Sequence, residues 1–186
     1  KAFDDSAEIK RRFARDHADR IVQVAQLIGG AFQAGHKVLL FGNGGSSTDA
    51  AHIAAEFVGR YKRERAPLPA IALATDIAAI TCIANDYGFE ELFARQVQAH
   101  GQRGDVAIAI STSGNSPNVL KGVEAAKALG LTTIAWTGGT GGKLAGMVDY
   151  AFVVPSTLTA RIQESHITLG HVLCELIEDH VLANPA

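Results

Sequence analysis

Residues 106–118 constrain the fold more than any other segment, because an uninterrupted apolar run leads into a loop rich in hydroxyl groups. The run Val106–Ile110 contains no polar residue, which predicts a strand buried on both faces, as in a parallel sheet. The apolar residues of 119–129 recur at helical spacing. A strand, a short loop and a helix in this order predict one unit of an α/β fold.

The loop between this strand and this helix is suited to bind a phosphate group. Free backbone N–H groups and the positive end of the helix dipole favour an anion there. Four hydroxyl side chains add neutral donors: Ser111, Thr112, Ser113 and Ser116. In the alternative interpretation, Ser116 is only a helix N-cap and the other residues form an ordinary turn. The density of hydroxyl groups favours a phosphomonoester ligand.

The same order of strand, loop and helix recurs along the chain. Further strands are predicted at residues 37–41, 70–74, 132–136 and 150–154. Helices are predicted at residues 5–34, 48–61, from 77 to a break at 85–88, and at 89–100, 119–129, 143–147 and 159–182. Since parallel neighbours need crossover connections, the pattern predicts a three-layer α/β/α sandwich around a five-stranded, mostly parallel sheet. We expect a single domain over residues 1–186, with the helix of residues 1–34 at a subunit interface.

Composition and charge disfavour several classes of protein. Hydrophobic residues make up 47% of the chain and charged residues 19%, which is typical of a folded globular protein. The net charge of -2 and the lack of a long basic run argue against a nucleic-acid-binding surface. No apolar stretch is long enough to cross a membrane and no secretory signal is visible, so we expect a cytoplasmic protein. The basic segment 60–65 is either a solvated helix end or a ligand contact.

The two cysteines, Cys82 and Cys174, lie far apart in the sequence and outside any CxxC pattern. A disulfide scaffold or a cysteine zinc site is therefore not expected. Both cysteines lie among apolar residues, so we predict that both are buried thiols.

Two pairs of polar side chains could bind a metal ion. His52 and Glu56 are four residues apart and therefore share one face of a helix, and Gln163 and His171 are close to two turns apart. Histidine and carboxylate suit zinc, whereas an amide oxygen is a less usual ligand. A surface ion pair or a hydrogen-bonded core histidine is the commoner explanation of each pair. Together with the phosphate loop, however, these groups indicate acid–base chemistry on a phosphorylated small molecule.

Five segments carry a resemblance to a known family. They are GNGGS at 42–46, ANDYG at 84–88, ISTSGNS at 110–116, TG and GGK within 137–143, and RIQE at 161–164 followed by His171. In this order they resemble the sugar isomerase (SIS) domain, and within it the phosphoheptose isomerases, over about residues 22–182. The resemblance implies a flavodoxin-like fold with long N- and C-terminal helices. It also implies a homotetramer with active sites between subunits.

The activity that the resemblance implies is the conversion of sedoheptulose 7-phosphate to D-glycero-D-manno-heptose 7-phosphate, in bacterial activated-heptose synthesis. The residues that match substrate-binding positions of the family are Asn43, Gly44, Arg60, Asp86, Ser111, Thr112, Ser113, Ser116 and Gln163. The residues that match its zinc ligands are His52, Glu56, Gln163 and His171. Glu56 and His171 also match the acid–base pair.

One position departs from the family pattern. Ala160 stands where some members carry Asp, and nearby Ser156, Thr157 and Thr159 could replace the contact of that Asp with a substrate hydroxyl.

Two other functions stay open. One alternative is a non-catalytic SIS protein that binds a sugar phosphate or a protein such as a replication initiator. A carboxylate one turn after His52 disfavours that alternative. The other is an isomerase of arabinose 5-phosphate, which the chain length disfavours because that enzyme typically carries additional domains.

Overall fold

A computed structural model describes residues 1–184 of the chain, and its helices and strands alternate as predicted. In chain order they are α1 (Ala2–Gln33), β1 (Val38–Gly42), α2 (Gly45–Val58), β2 (Ala70–Ala72), α3 (Ile77–Asp86), α4 (Leu92–His100), β3 (Val106–Ile110), α5 (Pro117–Leu129), β4 (Thr132–Gly138), β5 (Tyr150–Val154) and α6 (Thr159–Ala183). Two 3₁₀ turns, Phe89–Glu91 and Leu144–Gly146, precede α4 and β5. Within this part of the chain, no helix is both long and apolar enough to span a bilayer.

The five strands form one sheet in the order β2-β1-β3-β4-β5, and every neighbouring pair is parallel. The predicted five-stranded sheet is confirmed, and it is parallel throughout. From β1 the chain runs outward to β2 and then returns to the other side of β1 for β3, so the strand order reverses between β1 and β3. Gly42 is the register partner of Ile110. The loops that follow β1 and β3 therefore begin side by side, where ligands bind in such folds.

Each face of the sheet is covered by helices, which confirms the three-layer sandwich. Val38 and Leu40 of β1 lie in a core shared with α1, α2 and α6. Leu39 and Phe41 lie in the opposite core, shared with α3, α4 and α5. Successive side chains of a strand point to opposite faces. Burial on both faces is why the central strands carry no polar alternation.

Several predicted boundaries differ from the structure. Helix α1 begins at residue 2 rather than 5, with Asp4 and Asp5 in the first turn, where carboxylates favour the helix dipole. The helix continues through Gly29 and Gly30, and Gly29 allows close packing, since a Cβ there would lie 2.4 Å from the His180 ring of α6. Residues 89–100 are not one helix but a 3₁₀ turn followed by α4, and 143–147 contain only a 3₁₀ turn. Helix α3 continues to Asp86 instead of breaking at 85.

The helix predicted at 48–61 ends at Val58, so segment 60–65 lies beyond α2, and within this segment the side chain of Arg65 is only 3% exposed. The prediction that both cysteines are buried is wrong for one of them. Cys82 is exposed, whereas Cys174 is buried as predicted. Cys82 lies on α3, where only Ile83 is fully buried, so an apolar neighbourhood in sequence does not indicate burial there. Burial raises the pKa of the Cys174 thiol to about 12, which makes it unreactive.

His166 on α6 is fully buried and joins that helix to the end of β4. Its Nε2 donates to the carbonyl oxygen of Thr137, 3.1 Å away. Burial lowers the pKa of the imidazole to about 4, against the weaker effect of this hydrogen bond. His166 is therefore neutral in the folded protein at pH 7, and it binds a proton more readily in the unfolded chain.

The depressed pKa of His166 predicts a loss of stability in acid. The pKa of His166 is lower in the folded than in the unfolded chain, so the neutral imidazole contributes fully to the free energy of unfolding above about pH 6.5, and this contribution is lost as the pH falls toward 4. The pKa shift corresponds to on the order of 3 kcal/mol of unfolding free energy. Urea unfolding at pH 7 and pH 4.5 gives the free energy of unfolding at each pH, and the difference between the two values should be smaller for His166→Gln than for the parent protein. The exposed His100→Gln variant is the control, and an unchanged difference in His166→Gln would exclude this histidine as the cause.

Candidate active site

The loops after β1 and β3 enclose a cavity of about 300 Å³ at the point where the strand order reverses. Its walls also include the first turn of α6. The lining residues are Asn43, Gly44, Gly45, Ser46, Ile110, Ser111, Thr112, Ser116, Thr159 and Gln163. Asn43 and Asn118 join the two loops through a pair of amide hydrogen bonds of 2.8 and 2.9 Å. The structure thus brings together most of the residues predicted to bind substrate.

Three of the four hydroxyl residues of the β3 loop line this cavity: Ser111, Thr112 and Ser116. Ser116 is the N-cap of α5, but its side chain accepts no capping hydrogen bond. Instead its Oγ lies 3.1 Å from Oγ of the buried Ser111. Ser113 is exposed and accepts a hydrogen bond from the backbone N–H of Asn115. The Ser116 hydroxyl is therefore not used as a cap, and a ligand at the N-terminus of α5 would meet hydroxyl donors there.

The end of β4 and the loop after it hold the β3 loop through backbone hydrogen bonds. The N–H of Gly138 donates to Thr112 O at 3.1 Å, and the N–H of Leu144 donates to Gly114 O at 3.0 Å. Gly114 has a φ of +66°, and a Cβ on it would lie 2.1 Å from Gly141 O. Only glycine fits both that backbone conformation and that approach. The glycine-rich β4 loop thus has a supporting role that its composition alone did not reveal.

A second cluster forms where α2 and α6 pack together. His52 and Glu56 lie one turn apart on α2, with His52 Nε2 3.2 Å from Glu56 Oε1. His171 on α6 places its Nε2 3.4 Å from His52 Nε2. We call His52, Glu56 and His171 the triad. One potential ligand atom from each of the three lies within 4.8 Å of the other two.

The donor set of the triad fits a zinc ion. Two imidazole nitrogens and one carboxylate oxygen are a usual set of three protein ligands at a catalytic zinc site. Ligand atoms at tetrahedral corners, about 2.0–2.1 Å from the metal, are roughly 3.3–3.4 Å apart. The distances of 3.2 and 3.4 Å in the triad are close to this spacing.

Comparison with known proteins agrees with this geometry. The SIS domain family model matches residues 3–138. The phosphoheptose isomerase of Thermodesulfovibrio yellowstonii is 57% identical over 186 residues, covering 100% of this chain and 92% of that protein. That of Aquifex aeolicus is 60% identical over 181 residues, covering 97% and 95%. The structure of phosphoheptose isomerase GmhA from Neisseria gonorrhoeae superposes with a TM-score of 0.90 at 44% identity, covering 96% of this chain and 95% of that one.

The chain belongs to the phosphoheptose isomerase family of SIS-domain proteins. The family expected from the five sequence segments is confirmed.

Gln163 lies apart from the triad. A Cβ on Gly45 would meet Gln163 Nε2 at 2.5 Å, so the amide lies over the first turn of α2 and lines the cavity. Gln163 precedes His171 by eight residues, which is about 12 Å along the helix axis. The structure therefore groups Gln163 with the substrate-binding residues, and its role as a zinc ligand stays a prediction.

Arg60 and Asp86 also lie outside the cavity of this chain. Arg60 follows α2, is exposed, and has its Nε 3.6 Å from Glu64 Oε2. Asp86 ends α3 and accepts a hydrogen bond of 2.7 Å from the Asn85 amide. The assignment of both residues to the substrate site, which the family resemblance implied, stays a prediction.

Two polar residues at the site were missed by sequence reasoning. Ser46 is buried and lines the cavity directly after the glycine pair of the β1 loop, and its position in that loop was the available signal. Asp49 lies on α2 one turn before His52, and desolvation raises the pKa of its carboxyl, against an opposing effect of His52. No motif pointed to Asp49, because its environment depends on how α2 packs.

A larger cavity of about 860 Å³ adjoins the first and shares Thr112 and Thr159 with it. Most of its polar wall is formed by hydroxyl groups, and Arg12 of α1 contributes to its rim. The hydroxyl residues that line it are Thr112, Ser113, Thr140, Ser156, Thr157 and Thr159. Ser156, Thr157 and Thr159, the residues named as possible replacements for the contact that Ala160 cannot make, thus line this larger cavity, and Thr159 also lines the first.

Gly114→Ala should weaken phosphate binding. The left-handed conformation alone costs about 1–3 kcal/mol for a residue with a Cβ, and the contact with Gly141 O forces the loop to move. Isothermal titration with sedoheptulose 7-phosphate should show at least about a tenfold loss of affinity. The control is Gly146→Ala, where a Cβ meets no atom within 4 Å. Equal affinities of both variants would show that the β3 loop does not hold the ligand.

Proposed function

We propose that this protein is an aldose–ketose isomerase that converts D-sedoheptulose 7-phosphate to D-glycero-D-manno-heptose 7-phosphate, for nucleotide-activated heptose synthesis in the bacterial cytoplasm. The observation that carries the proposal is that the triad and the cavity are built on the same two helices, α2 and α6, in a chain 57–60% identical to phosphoheptose isomerases. The cavity and the triad lie along the same pair of helices, α2 and α6. A sugar phosphate bound by its phosphate at one end would extend toward the acid–base groups at the other.

Each end of the site is suited to a different part of the substrate. The cavity offers hydroxyl groups, backbone N–H groups and the N-terminus of α5 for the phosphate dianion. The triad offers a carboxylate and two imidazoles for proton transfer. About two helical turns separate Gln163 from His171 along α6. This separation favours an extended sugar with its phosphate and its carbonyl at opposite ends, as in a heptose 7-phosphate.

The proposed reaction proceeds through an enediol. Glu56 takes a proton from the carbon next to the carbonyl and returns it to the neighbouring carbon, while His171 moves a proton between the two oxygens. The proton count of the substrate is unchanged, so no external acid, base or oxidant is consumed. His52, Glu56 and His171 would hold a zinc ion. Gln163, which the family resemblance gives as a fourth ligand, would have to reach the ion from the cavity wall. When bound, zinc would stabilise negative charge on the substrate oxygen.

Glu56 has two proposed roles that oppose each other, since a carboxylate bound to a metal is a weaker base. Glu56→Gln should lower kcat by about 10²–10⁴, the usual contribution of a general base. Zinc content, measured on the same purified protein, separates the roles: loss of turnover with zinc retained supports the base. The exposed Glu124→Gln variant on α5 is the control. Turnover that survives loss of zinc would exclude Glu56 as the base.

The assay also separates this function from a binding protein. Metal-replete parent protein should interconvert the two heptose phosphates, and a chelator should abolish turnover. If the metal-replete protein binds sedoheptulose 7-phosphate without turning it over, the non-catalytic interpretation replaces the isomerase.

We further propose that the protein is a homotetramer whose active sites form between subunits, with α1 at an interface. The positions of Arg60 and Asp86 outside the cavity support this proposal, because a second subunit could bring them to it. Three apolar side chains on α3, which Asp86 ends, or in the segment directly after it are exposed in the single chain: Ile77 by 75%, Tyr87 by 55% and Phe89 by 55%. Burying such side chains is a usual source of subunit affinity.

An inter-subunit site predicts complementation between inactive variants. Glu56→Gln and Asp86→Ala should each be nearly inactive alone. After they are mixed under conditions that exchange subunits, some sites take Glu56 from one chain and Asp86 from another, and turnover should return. Sedimentation velocity should give the mass of four chains. A monomer, or a mixture that stays inactive after proven exchange, would contradict the proposal.

A further inference from the structure

Arg65 and Glu178 form a buried ion pair behind the triad. Their side chains are only 3% and 2% exposed, and Arg65 Nε lies 3.2 Å from Glu178 Oε1. A buried pair repays its desolvation only when further hydrogen bonds satisfy both groups. The partners of these two groups therefore show what the pair does.

Glu178 of α6 holds the segment that follows α2. Its carboxylate accepts three consecutive backbone N–H groups, from Tyr61 at 2.7 Å, Lys62 at 2.9 Å and Arg63 at 3.1 Å. Successive N–H groups converging on one anion form a nest. Desolvation tends to raise the pKa of Glu178, but these donors and Arg65 together hold it below its ordinary value. The carboxylate is therefore ionised and fixes the backbone of residues 61–63.

Arg65 holds the last turn of α2. Its Nη2 donates to the carbonyl oxygen of Glu56 at 2.8 Å, and its Nη1 donates to that of Phe57 at 2.8 Å. The last carbonyl groups of a helix have no partner within the helix, and a cation there also favours the helix dipole. The guanidinium therefore fixes the turn whose side chains include Glu56 of the triad.

Tyr61 connects the same segment to the other helix of the triad. Its ring stacks on the imidazole of His171, with centroids 5.5 Å apart and an angle of 20° between the planes. The backbone N–H of Tyr61 is one of the three bound by Glu178. The buried pair thus contacts the backbone of Glu56 directly and reaches His171 through Tyr61.

We propose that the Arg65–Glu178 pair positions the triad for metal binding, by fixing the last turn of α2 and the Tyr61 ring against His171. The inference rests on the proposed function, since it takes the triad to bind a divalent metal. Groups behind the ligands of a metal site typically change metal affinity by 10- to 100-fold. Arg65 and Glu178 are positioning residues, because neither touches the metal site itself.

Glu178→Gln tests the proposal with a readout other than turnover. The variant keeps one acceptor oxygen but loses the charge, so Zn²⁺ affinity measured by chelator competition should fall at least about tenfold, with a parallel fall in kcat/KM. Glu175→Gln is the matched control: Glu175 lies one turn earlier on α6 and pairs with Lys62 of the same segment at 2.8 Å, but at the surface. Its affinity should stay within about twofold of the parent.

Two additional variants separate positioning from general stability. Arg65→Lys keeps the charge but replaces the rigid guanidinium, whose Nη1, Nη2 and Nε face Phe57 O, Glu56 O and Glu178 from separate positions, by a single nitrogen. It should therefore also weaken Zn²⁺ binding in protein that still melts cooperatively. Tyr61→Phe keeps the stacked ring and should bind Zn²⁺ as the parent does, whereas Tyr61→Ala should not. A folded Glu178→Gln or Arg65→Lys protein with parental Zn²⁺ affinity would overturn the proposal.

Hydrogen exchange in the parent protein decides the case if these variants do not fold. The amides of Tyr61, Lys62 and Arg63 should exchange slowly although Lys62 and Arg63 are exposed residues of a loop. Exchange at the rate of an open loop would overturn the proposal. If the parent protein binds no Zn²⁺, the metal role in the proposed function fails, and with it the positioning role, even where these amides are protected. If it binds Zn²⁺ but does not isomerise the heptose, the proposed function fails alone.

Discussion

The close approach of α6 to α2 at Gly170 determines where the triad forms. A Cβ on Gly170 would lie 2.5 Å from Cδ1 of Ile53 and 3.2 Å from the Trp136 ring. Gly170 immediately precedes His171, and Ile53 immediately follows His52. The missing side chain therefore allows the two helices to approach until His52 and His171 lie within 3.4 Å. A larger residue at position 170 would push α2 and α6 apart and so separate His52 from His171.

The two ends of the site are built from different parts of the fold. At the phosphate end, the groups are loop backbone, hydroxyls and a helix N-terminus, all fixed by the register that places Gly42 beside Ile110. At the triad, the groups are side chains on the faces of two helices. The phosphate end is electrically neutral apart from the helix dipole, while Glu56 supplies a charge at the other. A dianionic ligand is thus favoured at the end away from the carboxylate.

Local patterns predicted the parts of this structure that depend on local rules. The apolar run Val106–Ile110 indicated a buried parallel strand, and the spacing of His52 and Glu56 placed them on one helix face. Residue spacing alone could not place His171 beside His52, because that contact depends on how α2 and α6 pack, and only the family resemblance grouped the two histidines. The same limit explains the error at Cys82 and why the burial of the Arg65 side chain was not predicted. The exposure of Cys82 and the burial of Arg65 are set by neighbours distant in sequence.

Helix α6 shows why polar residues within an apolar stripe are informative. Gln163, His166 and Glu178 interrupt a helix that otherwise buries aliphatic side chains. Each makes a different contact: Gln163 with the first turn of α2, His166 with the Thr137 carbonyl, and Glu178 with the N–H groups of residues 61–63. Burying a polar group without a partner is costly. A polar side chain is therefore expected on such a buried helix face only where it has a specific partner. On α6 these contacts fix the helix that carries both a wall of the cavity and His171 of the triad.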